Sequence, residues 1–270
     1  MGASQALAIE RLLAEGISKK NGSALLAGLG ARLQRASELA RPGASSAMPA
    51  AVPALERLLP GGLPKGGLVE IAGRRSSGRY SLGLAALAAA TSAGLPAALV
   101  DLGDHLDPQG AERAGVDLRR LLWARPRRAK EALAAAEMLV ATGFPLVVAD
   151  LGLSARTRWV PDAAWVRLAR AAQAQGAVLL LSTPWRASGI AADAVVSAAG
   201  ARPVWQGGGR TPRLLAGLRS RLTLEKRGRA TPGLAAPLSL DVPEALEGEK
   251  PPRLARGGAG LLRLKARTDD

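Results

Sequence analysis

The feature that most constrains this chain is an alternation, beginning near residue 54, of short unbroken apolar runs with longer stretches of helical character. The runs occupy 68–72, 97–101, 121–124, 146–150 and 178–182, each bounded by Gly, Pro or charge; the stretches between them are 81–92, 109–114, 128–141 and 162–175. A strand that is apolar at every position must be covered on both faces, and helices in the connections provide that cover. The pattern predicts an α/β fold built on a mostly parallel β-sheet flanked by helices. After residue 190 the texture shifts to runs at 194–198, 214–218, 222–224 and 234–240, separated by Gly, Pro and Arg. These predict antiparallel strands added at the C-terminal edge of the sheet.

The flanks differ from this core. Residues 6–15 and 24–40 place Leu and Ala near helical spacing, and 42–53 have linker composition, so 1–50 read as a small N-terminal helical segment and linker. The core is expected over 51–242. Residues 243–270, with Pro243, Pro251, Pro252, several glutamates and a Gly-rich break, read as a flexible tail carrying both basic and acidic residues.

Composition removes several chemistries. Cysteine is absent and His105 is the single histidine, which excludes disulfides, thiolate zinc sites, cysteine nucleophiles and histidine-cluster metal sites. The net charge of +15 arises from 37 basic residues, 30 of them arginine, against 22 acidic ones. Arginine is the better fork for phosphate and carboxylate, so polyanions are expected partners. Aromatic residues make up only 3%, which argues against a platform that stacks single-stranded bases. The uncharged run 81–100 is about as long as a membrane span, roughly 20 residues. It is rich in alanine and interrupted by Gly94 and Pro96, so a buried helix, a turn and a core strand are expected instead. With no basic n-region at the N-terminus and no cysteine, the expected compartment is the cytoplasm.

Between the first expected strand and the helix after it stands Gly73-Arg74-Arg75-Ser76-Ser77-Gly78-Arg79-Tyr80. Its glycines have the separation of a phosphate-binding P-loop, in which backbone N–H groups wrap phosphates, a lysine reaches the β and γ oxygens and a hydroxyl holds Mg²⁺. Here Arg79 stands at the lysine position and Tyr80 at the hydroxyl position. The loop on its own admits three readings: an NTPase using Arg79, a degenerate P-loop kept for its fold, or a coincidence of glycines. Asp150, ending the run 146–150, is placed as the acidic residue of a second nucleotide motif would be.

The stretch 55–71, Leu-Glu-Arg-Leu-Leu-Pro-Gly-Gly-Leu-Pro-Lys-Gly-Gly-Leu-Val-Glu-Ile, with Gly73 and Ser76-Ser77-Gly78 after it, resembles the entry to the RecA recombinase core. Asp101, Leu106-Asp107-Pro108, Gly115-Val116-Asp117-Leu118, Leu121-Leu122 and Pro126 continue the resemblance in order and spacing. Within that superfamily, 125–137 and 219–240, the latter containing Leu222-Thr223-Leu224-Glu225-Lys226-Arg227-Gly228, are more similar to the ImuA family of RecA-like accessory proteins in bacterial mutagenic translesion synthesis. The resemblance covers roughly 52–240. It places the recombinase's catalytic glutamate on Gly103, with Asp104 one position off register, and its γ-phosphate-sensing glutamine near Pro184.

With Arg79 and Tyr80, four parts of the ATPase are then changed on a retained scaffold, which implies a degenerate P-loop with no ATP hydrolysis, no bound cofactor and no metal. His105, in the retained Leu-Asp-Pro turn, is expected to be structural. The resemblance implies a non-catalytic adaptor in SOS-type DNA damage tolerance. Its implied partners are an ImuB-type inactive Y-family polymerase, an error-prone DnaE-type polymerase and the recombinase RecA itself. Alternatives are an active NTPase using Arg79 and a regulator of recombination or cell division. Arg74 and Arg75 at the loop, and Arg202, Arg210, Arg213, Arg219 and Arg221 around the Gly-rich segment 206–210, are the candidate contacts to DNA or a partner, with weak, salt-sensitive nucleic-acid binding expected.

Overall fold

A computed structural model describes residues 47–152, 160–208, 213–228 and 232–241. The N-terminal helices expected within 1–40 and the tail 243–270 lie outside the described residues. In chain order the elements are β1 (Ala47–Met48), α1 (Pro53–Leu58), β2 (Leu63–Pro64), β3 (Leu68–Gly73), α2 (Arg79–Ser92), β4 (Ala97–Asp101), α3 (Pro108–Arg113), β5 (Leu121–Ala124), α4 (Ala129–Ala141), β6 (Leu146–Asp150), α5 (Asp162–Gln175), β7 (Val178–Thr183), β8 (Ala194–Gln206), β9 (Leu214–Arg227) and β10 (Ala235–Asp241). β1 and β2 pair antiparallel as a separate ribbon.

The remaining strands form one sheet of eight in the order β10-β9-β8-β3-β7-β6-β4-β5. All neighbours from β8 to β5 are parallel, and β8–β9 and β9–β10 are antiparallel. This is the expected mostly parallel sheet with antiparallel strands added at one edge. Helices cover both faces. Because strand side chains alternate, Ile71, Leu99, Val148 and Leu180 face one core with α1 and α2, while Leu68, Val100, Val147 and Leu179 face a second core with α4 and α5. In α5, Trp165, Leu168 and Ala172 recur at helical spacing and are buried in that second core.

Local chemistry explains the boundaries. α1 starts on Pro53, whose missing N–H costs nothing in a first helical turn, and buries Leu55 and Leu58. Its presence, and β1 before it, put structure into 42–53, where linker composition alone had suggested none. α3 is capped by Asp107, whose carboxylate accepts the Gly110 N–H. β9 joins two runs read separately in the sequence: Arg219 and Arg221 point outward while Ser220 between them is buried, so the two-residue alternation passes unbroken through the polar stretch. β8 likewise extends to Gln206, with a register shift between Ala199 and Arg202 that admits Gly200 and Ala201.

Candidate functional site

The parallel register sets a row of polar groups along the C-terminal ends of the central strands. Asp101 lies opposite Asp150, and Asp150 opposite Ser182. By alternation all three point to the face covered by α2, whose first residue is Arg79. Gly78, just before it, has φ +93°, a backbone conformation that glycine supplies without strain and that turns the chain from loop into helix.

Arg79 does not point out of the loop. Its guanidinium is buried: Nη1 donates to Asp150 Oδ1 (2.5 Å) and to Ser182 Oγ, and Nη2 donates to the Gly152 carbonyl (2.7 Å). Ser182 Oγ in turn donates to Asp150 Oδ1 (2.7 Å). The other Asp150 oxygen lies 3.2 Å from His105 Nδ1. Burial pushes the Asp150 carboxyl up, but the His105 hydrogen bond and the Arg79 charge outweigh it, so Asp150 is held below the usual carboxylate range. The same hydrogen bond raises His105 above the ordinary imidazole value, against a smaller opposing effect of burial. His105 therefore bonds to Asp150 while remaining partly exposed.

Asp101, His105 and Asp150 each bring an oxygen or nitrogen within 4.8 Å of the others. That spacing would suit a cation, but the groups are already engaged. The Asp101 oxygens accept the backbone N–H groups of His105 (3.1 Å) and Leu106 (2.9 Å) and the Trp123 indole N–H (3.3 Å), so this carboxylate ties the 102–106 turn and β5 to β4. Asp104, one position from the glutamate site of the resemblance, forms a bidentate pair with Arg125 (both contacts 2.7 Å), and Arg125 lies over the Trp123 ring. A Cβ on Gly103 would fall 2.1 Å from the His105 ring, so a side chain there has to displace the imidazole from its place. Tyr80 is half-buried and edge-on to His105, its buried hydroxyl without a hydrogen-bond partner, and its ionisation is suppressed by burial and by Asp101, Asp150 and Asp107.

On the opposite face of β3, Glu70 is completely buried and was not singled out in the sequence. It accepts hydrogen bonds from Thr183 Oγ1 (2.7 Å), the Ala187 N–H (2.6 Å), the Ser188 N–H (3.0 Å) and the Ser188 hydroxyl. This carboxylate fixes the turn after β7 that carries Pro184, Trp185 and Arg186. The signal available was a charged residue in the middle of an otherwise apolar central strand. Between that turn, the P-loop and β8 lies a cleft of about 660 Å³, lined among others by Arg74, Arg75, Ser77 and Arg186.

The expected DNA or partner contacts fall into two places. Arg74 and Arg75 border this cleft. Arg202, Arg219 and Arg221 stand together on the exposed face of β8 and β9, with Arg202 directly opposite Arg219. No carboxylate among the described residues pairs with these three. Arg213 is exposed just before β9, and Arg210 lies outside the described residues.

A parallel sheet with a strand–loop–helix P-loop turn at its centre and acidic strand ends beside it is the architecture of RecA-like proteins. The profile for the RecA N-terminal domain matches residues 9–157, more than half of the chain, and this protein belongs to that family. Among curated proteins it is similar to the RecA proteins of Acinetobacter baylyi (45% identical), Clavibacter michiganensis (47%) and Frankia alni (44%), each over 91 residues and 33% of this chain. The matched stretch spans about a quarter of each relative's length (25–26%).

Proposed function

We propose that this protein is a RecA-fold adaptor of the ImuA kind that does not hydrolyse ATP and acts by holding other proteins together in mutagenic translesion synthesis. The observation that carries this reading is the inward course of Arg79. In the P-loop pattern the cation at that position faces the phosphates; here its guanidinium is spent on Asp150, Ser182 and the Gly152 carbonyl. Tyr80 offers a phenol with a buried hydroxyl where a small hydroxyl would hold Mg²⁺, and both oxygens of Asp150 are already engaged, one by Arg79 and Ser182 and the other by His105. The residues present do not fit a magnesium triphosphate held in the manner of the pattern. His105 over Gly103 and the Asp104–Arg125 pair also leave no carboxylate at the position of the recombinase's general base.

With nucleotide switching removed, the retained fold is a surface. The proposed partners are an ImuB-type polymerase homologue, an error-prone DnaE-type polymerase and RecA, and the arginine row on β8 and β9 supplies weak, sequence-independent contact to nucleic acid. Affinity capture from DNA-damaged cells, followed by identification of the bound proteins, tests the partners. Calorimetric titration with ATP and Mg²⁺ and phosphate-release assays with and without DNA test the adaptor reading, with no turnover expected. Turnover that is lost in Arg79→Ala or Asp150→Asn overturns it in favour of an NTPase.

A further inference from the structure

We propose that the cleft between the P-loop and the turn after β7 is a docking site for an acidic peptide segment of a partner protein, with one carboxylate seated beneath Arg74, Arg75 and Arg186. The inference deepens the adaptor reading by naming the chemistry of one partner contact. Three arginines border the cleft, and none pairs with a carboxylate among the described residues. The one acidic residue of the lining, Glu225, is engaged by the Ser197 hydroxyl (2.6 Å). The lining therefore keeps an excess of positive charge.

An independent observation points to a ligand. Ser77 is 3% exposed, lines the cleft, and has no hydrogen-bond partner for its hydroxyl. A buried hydroxyl without a partner is costly, and an incoming acceptor recovers that cost. A carboxylate satisfies both features: it accepts the hydroxyl proton and matches the planar arginine fork in bidentate fashion. The strand lining is mostly small, with Ala72 and Gly73 on β3 and Ala198, Ala199, Gly200 and Ala201 on β8, and its polar pair Ser197 and Glu225 is already bonded together, which leaves room for a peptide side chain. The shape of the turn is fixed as well, since Glu70 accepts the Ala187 and Ser188 N–H groups on the same face of the sheet as Ala72 and Val195 of the lining.

The test uses the full chain and fluorescein-labelled hexaglutamate, read by fluorescence anisotropy. Two charge-reversed variants alter the net charge equally: Arg74→Glu with Arg75→Glu in the cleft, and Arg127→Glu with Lys130→Glu at the start of α4. The cleft variant is expected to weaken binding at least tenfold and the α4 variant less than twofold, the tenfold corresponding to the loss of about one charge-assisted hydrogen bond. Ser77→Ala is expected to weaken binding several-fold while leaving the melting temperature unchanged or higher, because it removes an unpaired group. Equal weakening in both double variants means that hexaglutamate senses only overall charge, and overturns the proposal. Displacement of hexaglutamate by ATP at matching affinity means that the cleft takes nucleotide, and also overturns it. Phosphate release is a separate readout: it sinks the non-hydrolysing reading while leaving a cleft-specific effect of Arg74 and Arg75 intact.

Discussion

Two groups of arginines in this molecule have opposite fates. At the C-terminal ends of β3, β6 and β7, Arg79 is 5% exposed and its guanidinium is consumed by an aspartate, a serine and a carbonyl. On the β8–β9 pair, Arg202, Arg219 and Arg221 are exposed, and two of them face each other across the ladder. Like charges directly opposite one another in a sheet are unfavourable unless an anion lies between them. The buried arginine is an internal counter-ion and the exposed ones are open cations. The difference comes from position: Arg79 is delivered by a helix onto a row of carboxylates that the parallel register has already assembled, whereas the β9 arginines point away from the core that this pair shares with α1 and α2.

The sharpest way to break this comparison is to remove one arginine from each group. Taking away one partner of a buried ion pair leaves an uncompensated charge and costs about 3–5 kcal/mol. Arg79→Ala is therefore expected to lower the unfolding free energy by about that amount in urea denaturation, and Arg219→Ala to change it by less than about 0.5 kcal/mol. Asp150→Ala combined with Arg79→Ala should cost less than the two single changes added together, because the second removal takes away the charge that the first left uncompensated. Additive losses would mean that Arg79 is not the counter-ion of Asp150.

Binding reverses the ranking. If the β8–β9 face meets phosphates, replacing Arg202, Arg219 and Arg221 by Ala together should flatten the dependence of single-stranded DNA affinity on salt, by about 0.7 in the log–log slope for each phosphate no longer neutralised. A titration of labelled oligonucleotide at several salt concentrations measures it. The conservative Arg79→Lys should leave the slope where it was. A slope unchanged in the triple variant removes nucleic acid from this face.

β3, β4, β5, β6 and β7 were legible in the sequence to within a residue, since each is an apolar run, interrupted in β3 by Glu70, that is closed by Gly, Pro or charge. Asp150 was legible for the same reason, as the acid that ends such a run. The destination of Arg79 was not. It depends on the register among β4, β6 and β7, which aligns Asp101, Asp150 and Ser182 from positions far apart in the chain. Local spacing carries no information on that alignment. Glu70 was missed because its partners at 183–188 lie more than a hundred residues away, and β9 was divided because Arg219-Ser220-Arg221 reads as a break until Ser220 is seen to be buried. The RecA-like frame was carried by co-linear motifs, which is why the family was within reach while the wiring of its site was not.

Tyr80, half-buried beside this group, separates shape from polarity. Its ring packs against His105 while its hydroxyl has no partner, so Tyr80→Phe keeps the packing and removes only the unpaired group. Thermal unfolding is expected to show equal or greater stability, by up to about 1 kcal/mol. A loss of stability would mean that the phenol makes a contact that matters to the fold.

The smallest effect belongs to His105, whose side chain is 39% exposed and hence partly screened. Its folded-state pKa lies above the ordinary value of 6.5, raised chiefly by the hydrogen bond to Asp150. A group whose pKa is higher in the folded state stabilises most while protonated, so this contribution is complete below pH 6.5 and fades as pH rises through the folded value. Asp150, held low, contributes with the opposite sign: its share is present above pH 3.8 and is lost as acid protonates it below that value. Melting temperature followed from about pH 5 to about pH 9 should therefore decline for the native chain across a window in which His105→Gln stays flatter, with Asp150 fully ionised throughout. Identical profiles for the two proteins would mean that the imidazole carries no charge beside Asp150, and that Arg79 alone neutralises the buried carboxylate.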